Sequence, residues 1–78
     1  MWYVYILKCA DNSYYTGCTN DFKDRIRRHN NGKVSFSKSR LPVKLQVYIA
    51  FSNKYKAFDF EKYLKSGSGF AFRNKRFI

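Results

Sequence analysis

Residues 2–17, WYVYILKCADNSYYTG, decide the fold. Trp2, Val4 and Ile6 alternate with Tyr3, Tyr5 and Leu7, the period of two that belongs to a strand. Both faces of that strand are largely apolar, which predicts a central position in a sheet. Ala10, Asp11, Asn12 and Ser13 then form a polar cluster of turn-favouring residues, and Tyr14, Tyr15 and Thr16 resume the strand. The pattern predicts an antiparallel hairpin ending at Gly17, with aromatic residues on both arms.

Working outward, Asn20 or Asp21 can cap a helix over 21–31 that carries Phe22, Ile26 and His29 on one stripe. Gly32 is placed for a left-handed stop. Residues 33–42 hold Lys33, Lys38 and Arg40 among serines and read as a basic loop ending at Pro42. Val43, Leu45, Val47, Ile49 and Phe51 alternate with Lys44, Gln46, Tyr48 and Ala50, which predicts a strand with one less buried face. From Lys54 to Lys65 a second helix puts Ala57, Phe60, Glu61 and Leu64 on one side. Gly67 and Gly69 are expected to break it, leaving Phe70–Ile78 as a basic, aromatic tail with room for another helical turn or two. The expected fold class is α+β: a small three-stranded, mostly antiparallel sheet flanked by helices in the order β-β-α-β-α-α, with residues 1–78 forming one domain.

Composition bounds the function. Hydrophobic residues make up 45% and aromatics 21% of the 78 residues, too much core material for a disordered basic tail. The aromatic side chains of Trp2, Phe22, Phe51, Phe58 and Phe60 are expected in the core. Sixteen Lys and Arg against five Asp and Glu give a net charge of +11. That excess repels itself in a compact domain and implies a polyanionic partner, nucleic acid ahead of an anionic membrane surface. With two cysteines and one histidine, no zinc-knot spacing exists. Met1–Leu7 lacks the charged leader and cleavage site of a signal peptide, and no run is long enough to span a bilayer. A cytoplasmic protein with free thiols is expected.

Taken singly, the reactive side chains read as structural. Tyr5 and Tyr15 suit a cross-strand packing pair. Arg25 and His29 share a helix flank with Arg27 and Arg28 nearby, as on a solvated basic helix. Glu61, on the apolar face of a helix, needs a partner, either an arginine or a metal ion.

In combination they point further. Tyr3-Val4-Tyr5, Tyr15-Thr16-Gly17, Arg25, His29 and Glu61, in this order and spacing, resemble the GIY-YIG nuclease family. In particular they are similar to the small single-domain bacterial members related to the nuclease module of the excinuclease. Thr19-Asn20-Asp21, His29-Asn30-Asn31-Gly32-Lys33, Arg40-Leu41-Pro42 and the run from Glu61 to Gly67 support the likeness, which covers nearly the whole chain. The first triplet lacks the glycine of the family's motif.

The resemblance implies a metal-dependent endonuclease, a hydrolase that cuts DNA phosphodiester bonds with little sequence specificity, in DNA repair or recombination. It implies one Mg2+ or Mn2+ ion held by Glu61 and polarising a phosphate oxygen. Arg25 would neutralise charge on the phosphate, and His29 would bind phosphate or water. Tyr5 and Tyr15 would activate the attacking water, which requires surrounding cations to lower a phenol pKa from about 10. Gly17 would let the backbone approach closely. Lys23, Arg27, Arg28, Lys33, Lys38 and Arg40 would hold the DNA backbone, and Asn74 is matched to an asparagine that follows the metal glutamate. Two other readings stay open: a nucleic-acid-binding module without cleavage, and a nuclease that needs a specificity-giving protein partner.

Overall fold

Strand β1 (Trp2–Lys8) lies at the centre of a three-stranded sheet in a computed structural model that describes residues 1–78. It is antiparallel to β2 (Tyr14–Thr19) on one side and to β3 (Lys44–Phe51) on the other. Its two apolar faces are both covered. Val4 and Ile6 pack with Ala57 and Leu64, and Trp2, Val47, Phe51, Phe60 and Phe77 close around them. Tyr5 and Leu7 pack with Cys9 and Val43 on the opposite face, bordered by Tyr15, Phe22, Ile26 and Leu41. Val4, Ile6 and Leu7 are fully buried, each contributing about 1.5–3 kcal/mol relative to exposure. One small sheet thereby organises two half-cores.

Two of the four helices follow from local signals. α1 (Phe22–Asn30) begins at Asp21, whose carboxylate accepts a 3.1 Å hydrogen bond from the Asp24 amide. Gly32 stands just past its end at φ +74°, as the left-handed stop requires. α3 (Lys54–Leu64) is capped by Asn53, which accepts from the amides of Tyr55 at 2.8 Å and Lys56 at 3.1 Å. Ala57 and Leu64 are its buried contacts with the sheet, as their spacing predicts.

Three local expectations change. The basic loop contains a short helix, α2 (Ser35–Lys38). The hairpin's second arm continues past Gly17 to Thr19. The tail forms a full helix, α4 (Gly67–Arg76), because Ser66 caps it through the Gly69 amide and both glycines fall in its first turn. Gly69 is buried under the Tyr63 carbonyl, in a space that a Cβ could not enter. The less buried face of β3 is as expected, with Gln46, Tyr48 and Ala50 exposed and Val47, Ile49 and Phe51 half-buried, but Leu45, expected with the latter, is exposed beyond a register shift in the pairing with β1. No helix is long and apolar enough to cross a membrane.

Candidate functional site

Pairing of β1 with β2 sets Tyr5 opposite Gly17 and Leu7 opposite Tyr15, so both tyrosines share the face that α1 covers. Their ring centroids are 6.2 Å apart. Gly17 is needed here for space: a Cβ would overlap the Tyr5 phenol and come within 2.9 Å of Tyr15 Cε2. Helix α1 brings His29 against the same tyrosines. Tyr5 Oη and His29 Nε2 are 3.2 Å apart, and His29 Nδ1 lies 2.7 Å from Ser37 Oγ on α2.

This Tyr5–His29–Ser37 chain is sealed, with all three side chains at 0% exposure. Burial pushes the Tyr5 phenol above its ordinary value, the neighbouring Tyr15 adds to the rise, and the Arg25 charge only partly opposes it. Burial also holds the His29 imidazole below its ordinary value, with a further push from Arg25. Both groups are therefore neutral at pH 7 and bonded internally. The expectation that surrounding cations lower the pKa of Tyr5 is corrected: desolvation outweighs them. His29 is likewise a buried link and does not face solvent.

Beside the sealed chain, Tyr15 and Arg25 open onto a pocket of about 470 Å³. Arg28, Lys33, Val34, Ser35 and Phe36 complete its wall. No acidic side chain lines it, so three cations face the same space without compensation. Tyr15 and Phe36 pack with tilted rings, 5.3 Å between centroids, and form a ridge along it.

The other expected contacts are distributed differently. Arg27 projects to solvent and pairs with Asp24 at 2.6 Å. Arg40 is engaged by Asp11 at 2.9 Å and lies 4.2 Å over the Phe36 ring, so it buttresses the ridge. Lys38 is exposed at the end of α2. Lys23 lies away from the cationic pocket, beside Tyr3, Phe22 and Tyr48. Asn74 accepts two hydrogen bonds from Arg73, at 3.2 and 2.9 Å, within its own helix. Phe36, Tyr14, Lys65, Phe70 and Arg73 line the neighbouring surface and were not singled out from sequence. For Phe36, Phe70 and Arg73 the signal was aromatic residues interleaved with Lys and Arg in the segments read as loop and tail.

Glu61 lines neither the cationic pocket nor its neighbour. Its carboxylate is bonded by Lys65 Nζ at 3.1 Å, one turn further along α3. This is the partner that a carboxylate on an apolar helix face requires. The remaining acids serve elsewhere: Asp11 with Arg40 and Ser13, Asp21 at the α1 cap, Asp24 with Arg27, and Asp59 exposed on α3. Nowhere do three His, Cys, Asp or Glu side chains gather as a metal-ligand group.

Residues 1–75 match the family described as the GIY-YIG catalytic domain. A UPF0213 protein of Clostridium perfringens is 50% identical over 64 residues, 81% of this chain and 69% of that one. The UPF0213 protein YazA of Bacillus subtilis is 44% identical over 64 residues, 81% of this chain and 65% of that one. The chain spans about two thirds of the length of these curated relatives. A UPF0213 protein of Bacillus halodurans, solved by NMR in solution, aligns with a TM-score of 0.60 at 35% identity. That alignment covers 99% of this chain and 87% of the other.

These findings correct the expected metal-dependent endonuclease. The carboxylate of Glu61, the one acid expected to hold Mg2+ or Mn2+, is instead engaged by the Lys65 ammonium, and no cluster of His, Cys, Asp or Glu forms a metal-ligand group. The phenol expected to act as base is buried with a raised pKa. What remains at the surface is a cationic and aromatic wall suited to holding phosphate.

Proposed function

The chain belongs to the GIY-YIG domain family, and within that family we propose that residues 1–78 act as a non-catalytic nucleic-acid-binding module. The observation that carries this reading is the pocket in which Arg25, Arg28 and Lys33 face one space of about 470 Å³ with Tyr15 and no acid. Forked guanidiniums on adjacent turns of α1 match phosphate oxygens, and Lys33 adds a point charge. The net charge of +11 supports the same partner through long-range attraction. The sealed Tyr5–His29–Ser37 chain has a positioning role, locking α1 and α2 against the sheet so that the cations are held in place. The free thiols of Cys9 and Cys18 support a cytoplasmic setting.

Binding of a fluorescent DNA duplex across a salt series tests this. Three phosphate contacts give a slope of log K against log[salt] of about −2.7, and Arg28→Ala reduces its magnitude by about 0.9. A slope near zero, or an unchanged slope in Arg28→Ala, would show that the pocket does not hold the backbone. Plasmid incubated with the protein and magnesium stays intact; cleavage that disappears in Glu61→Gln would overturn the non-catalytic reading.

A further inference from the structure

We propose that the groove between β2 and the α3–α4 junction takes an unstacked base with its phosphate, so that the module recognises single-stranded rather than duplex nucleic acid. The proposal rests on the nucleic-acid reading above and names the strand form. The groove, about 300 Å³, is lined by Tyr14, Tyr15, Phe36, Lys65, Phe70 and Arg73 among others.

Arg73 is the independent observation. It is 8% exposed, yet none of the three ion pairs in the protein includes it. A guanidinium has five N–H donors, and Asn74 Oδ1 takes one from Nε and one from Nη2. No closed-off side-chain nitrogen lacks a partner, so the remaining donors of Arg73 open to solvent, and the groove is the space that Arg73 lines. A buried cation with no counter-charge is costly, and an anion in the groove would complete it. Burial lowers the pKa of Arg73, as expected for a charge held without a partner. Lys65, whose ammonium also pairs with Glu61, lines the same groove.

The aromatic walls determine the form of that anion. The Arg73 guanidinium lies 4.3 Å from the Phe70 centroid and 5.6 Å from that of Tyr14. Phe70 itself is 48% exposed, an apolar ring at the rim of a cationic groove. In a duplex the base faces are stacked on one another, so only an unpaired base can lie on such a ring. Tyr15 and Phe36 line both this groove and the Arg25–Arg28–Lys33 pocket. A strand crossing their ridge would place one phosphate on each side of it.

Fluorescence anisotropy with labelled oligo(dT) of about 12 nucleotides, and with a duplex of the same length, tests the inference. The wild type is expected to bind the single strand more tightly. Phe70→Ala weakens single-strand binding about tenfold and leaves duplex binding unchanged. Lys65→Gln, at an exposed position, lowers the single-strand salt slope by about 0.7 and leaves the duplex slope unchanged. This second variant decides the matter if circular dichroism shows that Phe70→Ala has lost its fold. Equal wild-type affinity for the two forms, or equal losses on both in the variants, overturns the inference while nucleic-acid binding stands. Failure of the wild type to bind either form overturns the proposed function instead.

Discussion

Gly17→Ala tests how tightly the two tyrosines and β2 are fitted. A Cβ at position 17 overlaps Oη and Cζ of Tyr5 and approaches Tyr15 Cε2 to 2.9 Å. Tyr15 is partly exposed and can rotate away. Tyr5 cannot, because it is fully buried and bonded to His29, which Ser37 holds in turn. The added methyl must therefore push β2 away from β1 or force the phenol off its hydrogen bond. Overpacking of this kind costs about 1–3 kcal/mol. A chain of 78 residues has a total stability of about 4–12 kcal/mol, so the variant folds but melts early. At about 4–8 °C per kcal/mol, a cost of about 2 kcal/mol lowers Tm by about 8–16 °C in thermal denaturation followed by circular dichroism. Tyr5→Phe removes Oη but not the ring carbon, so adding it to Gly17→Ala recovers part of the loss. The double-mutant cycle should show a coupling of about 0.5–3 kcal/mol. A Tm for Gly17→Ala within about 2 °C of wild type, less than the shift for 1 kcal/mol, would refute the fit described here.

Other expectations follow from the same packing. His29, the single histidine, should titrate by NMR with a midpoint below about 6.5, since burial depresses its pKa; a midpoint at or above that value would contradict a sealed imidazole. The depressed folded pKa means that the unfolded chain binds the extra proton first. This contribution to stability is present above about pH 6.5 and is lost as pH falls through the folded pKa, with a slope of at most about 1.4 kcal/mol per pH unit. Gly69→Ala should cost more than Gly17→Ala, because its Cβ meets the Tyr63 backbone and no side-chain rotation can relieve it; equal Tm values for Gly69→Ala and wild type would refute this. Gly67→Ala meets nothing within 4 Å and should stabilise α4 by about 0.4–1 kcal/mol, seen as a small rise in Tm; a fall would contradict the open space at that position.

The strands and the helices α1 and α3 were legible because their signals are local. β1 reads apolar on both faces and is covered on both, and Asp21 and Gly32 sit where their side chain or φ is needed. The helix Gly67–Arg76 was expected only as a turn or two after Phe70, because glycine is locally a breaker, whereas Gly69 answers to the nearby Tyr63 carbonyl. The short helix Ser35–Lys38 has no apolar periodicity to announce it. It is held from outside through the Ser37–His29 hydrogen bond.

The candidate site divided along the same line. Residue type and order placed Tyr15, Arg25, Arg28 and Lys33 together, since hairpin register and helix spacing carry them to one side of the sheet. The same reading put Lys23 and Asn74 in contact with the backbone, and the structure sends them elsewhere. It also treated Tyr5 and His29 as reactive and Glu61 as a metal ligand. By itself the sequence determined the sheet order, the central strand, the helix caps and a charge that calls for a polyanion. Only the tertiary structure decided which polar groups meet water. Burial and the distance to a partner arise from segments far apart in the chain, and these terms neutralise Tyr5 and His29, pair Glu61 with Lys65 and leave Arg73 without a counter-charge.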